Sequence, residues 1–151
     1  MKEASRIYVG SDHGGFELKT PILEMLRAEF PHAQVEDCGT LSQASTDYPT
    51  YAEKVARSIV AHGGLGILIC GSGIGMSIAA NKIDGIRAAM VWDVTSSRLS
   101  RQHNGANVVC MGARLIGREV ALDIVRTFLK TEFEGGRHAT RVELISKLEQ
   151  A

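Results

Sequence analysis

The stretch Cys70-Gly71-Ser72-Gly73-Ile74-Gly75-Met76-Ser77 sets a sulfur and a hydroxyl among glycines at alternate positions. Glycine permits tight turns and close backbone approach, so successive N–H groups can converge on an anion, and a helix opening behind them adds a positive end. The loop is not a Walker A motif, and it lacks the G-x-G-x-x-G spacing of a dinucleotide fingerprint. On its own it also reads as a tight strand-to-helix turn. Cys70 shifts the balance, because a sulfur at a positive helix end is favoured as the thiolate, a usable base or nucleophile. Cys38 and Cys110 read instead as small buried hydrophobes.

Other groups suited to chemistry stand apart in the chain. Asp12-His13-Gly14-Gly15 offers a carboxylate, an imidazole and flexible backbone, or more simply an Asp cap and a turn. His103 and Asn104 close a Ser- and Arg-rich stretch, where a histidine can also serve to complement a helix end. Arg137-His138-Ala139-Thr140-Arg141 sets two guanidiniums one turn apart, a spacing that can clamp a phosphate or merely form a solvated basic cap. His32 and His62 read as surface residues.

Short Val- and Ile-rich runs alternating with longer amphipathic stretches must position these groups, which is the βαβα pattern of a parallel sheet wrapped by helices. Strands are predicted at about 6–10, 33–38, 66–70, 86–91 and 107–111. Helices are predicted at about 16–30, 50–62, 75–83, 94–103, 117–130 and 139–149. Pro21 should kink the first helix or delay its start. Residues 39–49 form the longest polar loop, a length that often carries function. The expected fold class is α/β, a three-layer Rossmann-like sandwich with a five-stranded parallel sheet and helices on both faces, in one domain over 1–151. In such sheets ligands bind outside the carboxyl ends of the strands, where 11–15, 39–49, 71–75, 92–93 and 112–114 should gather.

With 17 basic and 17 acidic residues the formal charge is zero, which removes the footprint of a nucleic-acid or polybasic membrane binder. No apolar run approaches the roughly 18 residues of a membrane span, and no apolar signal region precedes the first strand. The three cysteines are widely spaced without a CxxC pair, as expected of reduced thiols in the cytoplasm.

A geometric conflict bears on assembly. His103 immediately precedes the fifth strand and Arg137 follows the fifth helix, so both should lie at the end of the sheet opposite Cys70. If all serve one site, a second subunit must supply some of them, which predicts a homodimer with shared sites.

The chain resembles the ribose-5-phosphate isomerase B family, within a larger group that includes the galactose-6-phosphate isomerase subunits. The likeness spans nearly the whole chain. It rests on Ser11-Asp12-His13-Gly14-Gly15, Thr46-Asp47-Tyr48-Pro49, Cys70-Gly71-Ser72-Gly73-Ile74-Gly75, Ala79-Ala80-Asn81-Lys82, Ser100-Arg101-Gln102-His103-Asn104, Gly112-Ala113-Arg114 and Gly135-Gly136-Arg137-His138. The resemblance implies a cytoplasmic enzyme of the pentose phosphate pathway that interconverts ribose 5-phosphate and ribulose 5-phosphate through a cis-enediolate, without metal or organic cofactor. On that likeness Cys70 takes the C2 proton, the amides of Gly71, Gly73, Ile74 and Gly75 hold the enediolate, and Ser72 assists proton exchange. His103 and Asp12 open the furanose ring, while Tyr48 and Asn104 line the sugar. His13, Arg114, Arg137 and Arg141 meet the phosphate, some from the partner chain of a homodimer or tetramer. The C-terminal helix is expected to pack on that partner. One branch of the family uses a glutamate base in the glycine loop, whereas this chain reads Gly75-Met76-Ser77; Ser72 replaces the threonine of many relatives and keeps the hydroxyl.

Rival readings are an isomerase of a hexose 6-phosphate such as allose or galactose 6-phosphate, with the same base, and a non-catalytic sugar-phosphate sensor. The sensor would need the anion site but neither Cys70 nor His103. A dinucleotide-binding redox protein would need its fingerprint after the first strand, where Asp12-His13 stands.

Overall fold

In a computed structural model that describes residues 4–150, the chain forms a five-stranded, all-parallel sheet in the order β2-β1-β3-β5-β4. Its strands are β1 (Arg6–Ser11), β2 (Gln34–Asp37), β3 (Leu65–Cys70), β4 (Ala88–Met90) and β5 (Val108–Gly112). The helices are α1 (Phe16–Glu29), α2 (Tyr48–His62), α3 (Ile74–Ala80), α4 (Val94–Asn104), α5 (Arg118–Lys130) and α6 (Arg137–Lys147). Every predicted element is present, with shifted boundaries.

Period-two alternation divides the core. Ile67 and Ile69 of β3 pack with Ile7, Val9, Val109 and Met111 beneath α1 and α5, and Ser97 of α4 bonds the Ile124 carbonyl on that same side. Leu68 and Cys70 face the other layer, with Val55, Ala56 and Ile59 of α2 and Met76 and Ala80 of α3. All six residues of β3 are buried, as a central parallel strand covered on both faces requires.

Register sets the level at which each strand releases its loop. Ser11 pairs with Ile69 and Cys70 with Gly112, so the segments beginning at Asp12, Gly71 and Ala113 leave the sheet side by side. Between β1 and β3 the order reverses, since β2 lies on the other side of β1. That reversal opens the crevice where doubly wound sheets bind ligands.

Some expectations are corrected. Pro21 does not delay α1, which begins at Phe16 behind a short 3-10 turn over His13–Gly15. Tyr48 and Pro49 belong to α2 and not to the loop, because Asp47 is extended at the N-cap and proline is tolerated in a first helical turn. Arg137 does not precede the last helix; it opens it, directly after Gly135 and Gly136 at φ +66° and +55°. The helix predicted from 75 to 83 ends at Ala80, with Asn81 bridging to β4 by accepting from the Ala88 N–H at 2.8 Å and donating to its carbonyl at 2.9 Å. Among the described residues no helix is long and apolar enough to cross a membrane.

Candidate active site

A cleft of about 350 Å³ lies outside the carboxyl ends of β1, β3 and β5, lined by Asp12, His13, Tyr48, Cys70, Ser72 and Arg114 together with glycine backbone. Cys70 ends β3 with only 4% of its surface exposed, and its sulfur accepts the Gly73 N–H at 3.1 Å. That contact fixes the sulfur at the floor of the cleft, beneath the glycine loop. Gly73 adopts φ +78°, and a Cβ there would fall 2.8 Å from the Met111 carbonyl carbon, so both its conformation and its seat on β5 require glycine. A Cβ on Gly75 would come within 2.5 Å of the Tyr48 ring, so this glycine lets the phenol lean over the loop.

The first loop lies directly opposite. Asp12 is buried and its Oδ1 accepts the Gly15 N–H at 3.2 Å, so it is a cap as well as a lining residue. The His13 Nδ1 accepts the Thr46 N–H at 3.2 Å. Arg114 follows β5, its N–H donates to the Gly71 carbonyl at 3.0 Å, and its guanidinium lies against Gly71. His13 and Arg114 also line a broader groove of about 860 Å³ beside the cleft, so they stand at its mouth. Gly73 and Ile74 do not line the cleft: the Gly73 amide is taken by Cys70, and the Ile74 N–H donates to Ser72 Oγ at 3.3 Å. Met76 is fully buried in the core and points away from this chemistry.

His103, Asn104, Arg137 and Arg141 are elsewhere. Asn104 ends α4, its carbonyl accepts from Arg87 at 2.9 Å just before β4, and it lines a hollow of about 620 Å³ with Ile145 and Leu148. This is the amino end of the sheet. Five steps along β3 at about 3.3 Å each separate that end from Cys70, roughly 16 Å. His103 stacks on His138 with ring centroids 4.3 Å apart and planes 12° from parallel. Arg137 and Arg141, both exposed, share a face of α6 by their i,i+4 spacing. The predicted residues thus form two separate groups, as the order of elements required.

His103, Glu134 and His138 hold three ligand atoms within 4.8 Å of one another. The rings are stacked, so their nitrogen lone pairs lie in parallel planes and do not converge on one point. Arg137 and Arg141 add positive charge beside His138, while Glu134 Oε2 lies 3.5 Å from its Nε2. Burial, then His103 and Arg137, hold His138 below the usual histidine value. The unfolded chain therefore binds more protons in the window between the lowered value and the ordinary 6.5, so stability falls as pH drops below about 6.5. We expect thermal melts of His138→Gln to lose that part of the acid sensitivity; unchanged pH dependence would assign it to other groups.

The other two thiols lie away from the cleft. Cys38 and Cys110 are buried without a backbone donor on sulfur, and desolvation pushes Cys38 up to about 12 and Cys110 upward as well. Sequence reasoning missed Lys19 and Tyr51, which tie down the 39–47 segment. Lys19 was detectable as a charge on the apolar face of α1, in step with Ile22, Leu23 and Leu26.

The model of the family described as Ribose/Galactose Isomerase matches residues 7–145. Ribose-5-phosphate isomerase B of Escherichia coli (strain K12) is 49% identical over 147 residues, covering 96% of this chain and 97% of that one. The solved ribose-5-phosphate isomerase B of Clostridium thermocellum superposes with a TM-score of 0.93 at 48% identity, over 96% of this chain and 97% of that one. The type B ribose 5-phosphate isomerase of Leishmania infantum does so with a TM-score of 0.92 at 44% identity, over 99% and 98%.

Proposed function

The chain belongs to the ribose/galactose isomerase family, and from that membership we propose that it interconverts ribose 5-phosphate and ribulose 5-phosphate with Cys70 as the base. The observation that carries the chemistry is the sulfur of Cys70 at the floor of the cleft, 3.1 Å from the Gly73 amide, with Ser72 beside it and Asp12 and Arg114 from neighbouring strand ends.

The reaction balances as a proton shift. The Cys70 thiolate takes the proton from C2 of the open-chain aldose, the C–H pair becomes the C1–C2 double bond, and the carbonyl pair moves onto O1. The N–H groups of Gly71 and Gly75, the loop glycines that line the cleft, stabilise that oxyanion. Ser72 passes the proton from O2 to O1, and the thiol returns its proton to C1, leaving the ketone at C2. His13 and Arg114 at the mouth receive the phosphate, and Tyr48 covers the sugar. Asp12, whose Oδ1 is occupied as a cap, uses Oδ2 to accept a hydroxyl proton during ring opening.

The remaining residues come from a second copy. We read the enzyme as a single-domain cytoplasmic homodimer in which His103 and Asn104 of the partner subunit reach the sugar, and Arg137 and Arg141 of the partner subunit close on the phosphate. Two observations support this reading: those residues sit at the wrong end of their own sheet, and apolar side chains are exposed among the described residues. Ile74 and Ile78 of α3 and Trp92 and Val94 after β4 are exposed, as are Leu144 and Ile145 on α6 and Leu148 just beyond it. The α6 helix buries only His138, which fits a helix that packs on a partner. Neutral formal charge gives no support to a nucleic-acid partner.

The test is conversion of ribose 5-phosphate to ribulose 5-phosphate in the presence of EDTA, with allose 6-phosphate and galactose 6-phosphate in parallel. Rapid pentose turnover insensitive to chelator is expected. Hexose preference would keep the base and change the substrate; no turnover on any of these sugars by folded protein would favour the sensor reading.

A further inference from the structure

We propose that Lys19 is a positioning residue, which with Asp37 clamps the 39–47 segment so that the Thr46 amide selects the Nε2–H tautomer of His13. The clamp begins in the core. Lys19 is 3% exposed on a helix face otherwise made of Leu18, Ile22, Leu23 and Leu26. Its Nζ lies 3.0 Å from Asp37 Oδ2 and 3.1 Å from Oδ1, and it donates to the Thr40 carbonyl. Asp37 Oδ1 also accepts the Gly39 N–H at 2.9 Å, and the Thr40 N–H donates to the Ser11 carbonyl at 2.9 Å. A buried ammonium is costly unless paired and hydrogen-bonded, and an apolar side chain on this face would avoid that cost. What the charge supplies is a fixed course for the chain after β2.

That course ends at His13. Thr46 Oγ1 and Tyr51 Oη are 2.9 Å apart, and hydrogen bonds with Thr46 and Thr40 hold the Tyr51 hydroxyl below the ordinary tyrosine value. Gln43 donates to Glu17 at 2.9 Å, a further tie between the segment and α1. So held, Thr46 presents its N–H to His13 Nδ1 at 3.2 Å. A nitrogen that accepts a hydrogen bond carries no proton, so the neutral ring must bear its proton on Nε2. That is the donor an anion at the cleft mouth needs; the other tautomer would turn a lone pair toward it. The role of the anion rests on the sugar-phosphate reading above, whereas the tautomer does not.

Long-range ¹H–¹⁵N correlation of the imidazoles reads the tautomer directly. The wild type should show His13 as a single Nε2–H form, and Lys19→Met/Asp37→Asn, which neutralises both charges together, should show mixed tautomers. The same variant should raise KM for ribose 5-phosphate about tenfold with kcat changed less than about twofold. Tyr51→Phe, which removes only the outer tie, should move both readouts in the same direction by less, and it decides the matter alone if the double variant fails to fold. An unchanged His13 pattern and unchanged KM in the folded variants overturn the proposal. A tautomer shift in a protein without isomerase activity would uphold the clamp and overturn only the assigned reaction.

Discussion

Cys70→Ala is expected to lower kcat on ribose 5-phosphate by about 10³-fold, since a positioned acid–base group contributes about 10²–10⁴ and the other proton acceptors of the cleft, Asp12 and His13, hold the first loop through Gly15 and Thr46. Sugar-phosphate binding should change by no more than a few fold, because His13 and Arg114 sit at the mouth while the sulfur lies at the floor. The sulfur also caps the Gly73 amide, so the variant loses one buried hydrogen bond, and its melting temperature should be measured alongside activity. Cys38→Ala and Cys110→Ala supply the control for loss of a thiol. Both remove a buried sulfur of raised proton affinity away from the cleft, and both should retain turnover. Retained activity in folded Cys70→Ala would remove the cysteine from the mechanism.

Mixing two dead enzymes should make a live one. If the sites are shared in a homodimer as proposed, Cys70→Ala and His103→Ala are each expected to be inactive, yet refolded together at equal concentration they should recover about a quarter of wild-type activity. The arithmetic follows from shared sites: random pairing makes half the dimers hybrid, and in each hybrid one of the two sites unites an intact Cys70 with an intact His103. Rough separation of the two groups within one chain, about 16 Å along β3, is the reason for expecting this. Hybrids shown to form without recovery would argue that each chain completes its own site.

Much of this architecture was legible locally. Buried runs such as Leu65–Cys70 and Val108–Gly112 announce central strands by their unbroken apolar character, and glycine-rich segments after them announce strand-to-helix turns. Boundaries were less legible where two signals competed. Pro49 suggested that helix α2 starts later than Tyr48, and Arg137 after Gly135-Gly136 reads as preceding a helix from 139 when it already opens it. In each case the local residue type permits either state, and packing of the following turns decides.

Residue types and their spacing specify the chemistry available: a cysteine with glycine amides, a carboxylate and imidazole in one turn, and paired arginines one helical turn apart. They also divide these into two groups, because a βαβ chain must alternate between the ends of its sheet and His103 and Arg137 come on the return leg. Which of them meet depends on how the strands assemble. Strand order and register, with Ser11 beside Ile69 and Cys70 beside Gly112, bring Asp12, Cys70 and Arg114 into one cleft although they are far apart in the chain. The course of residues 39–47 was likewise settled by a buried Lys19–Asp37 pair and by Thr46 against His13, contacts between distant segments whose energy exists only once the core has closed around them.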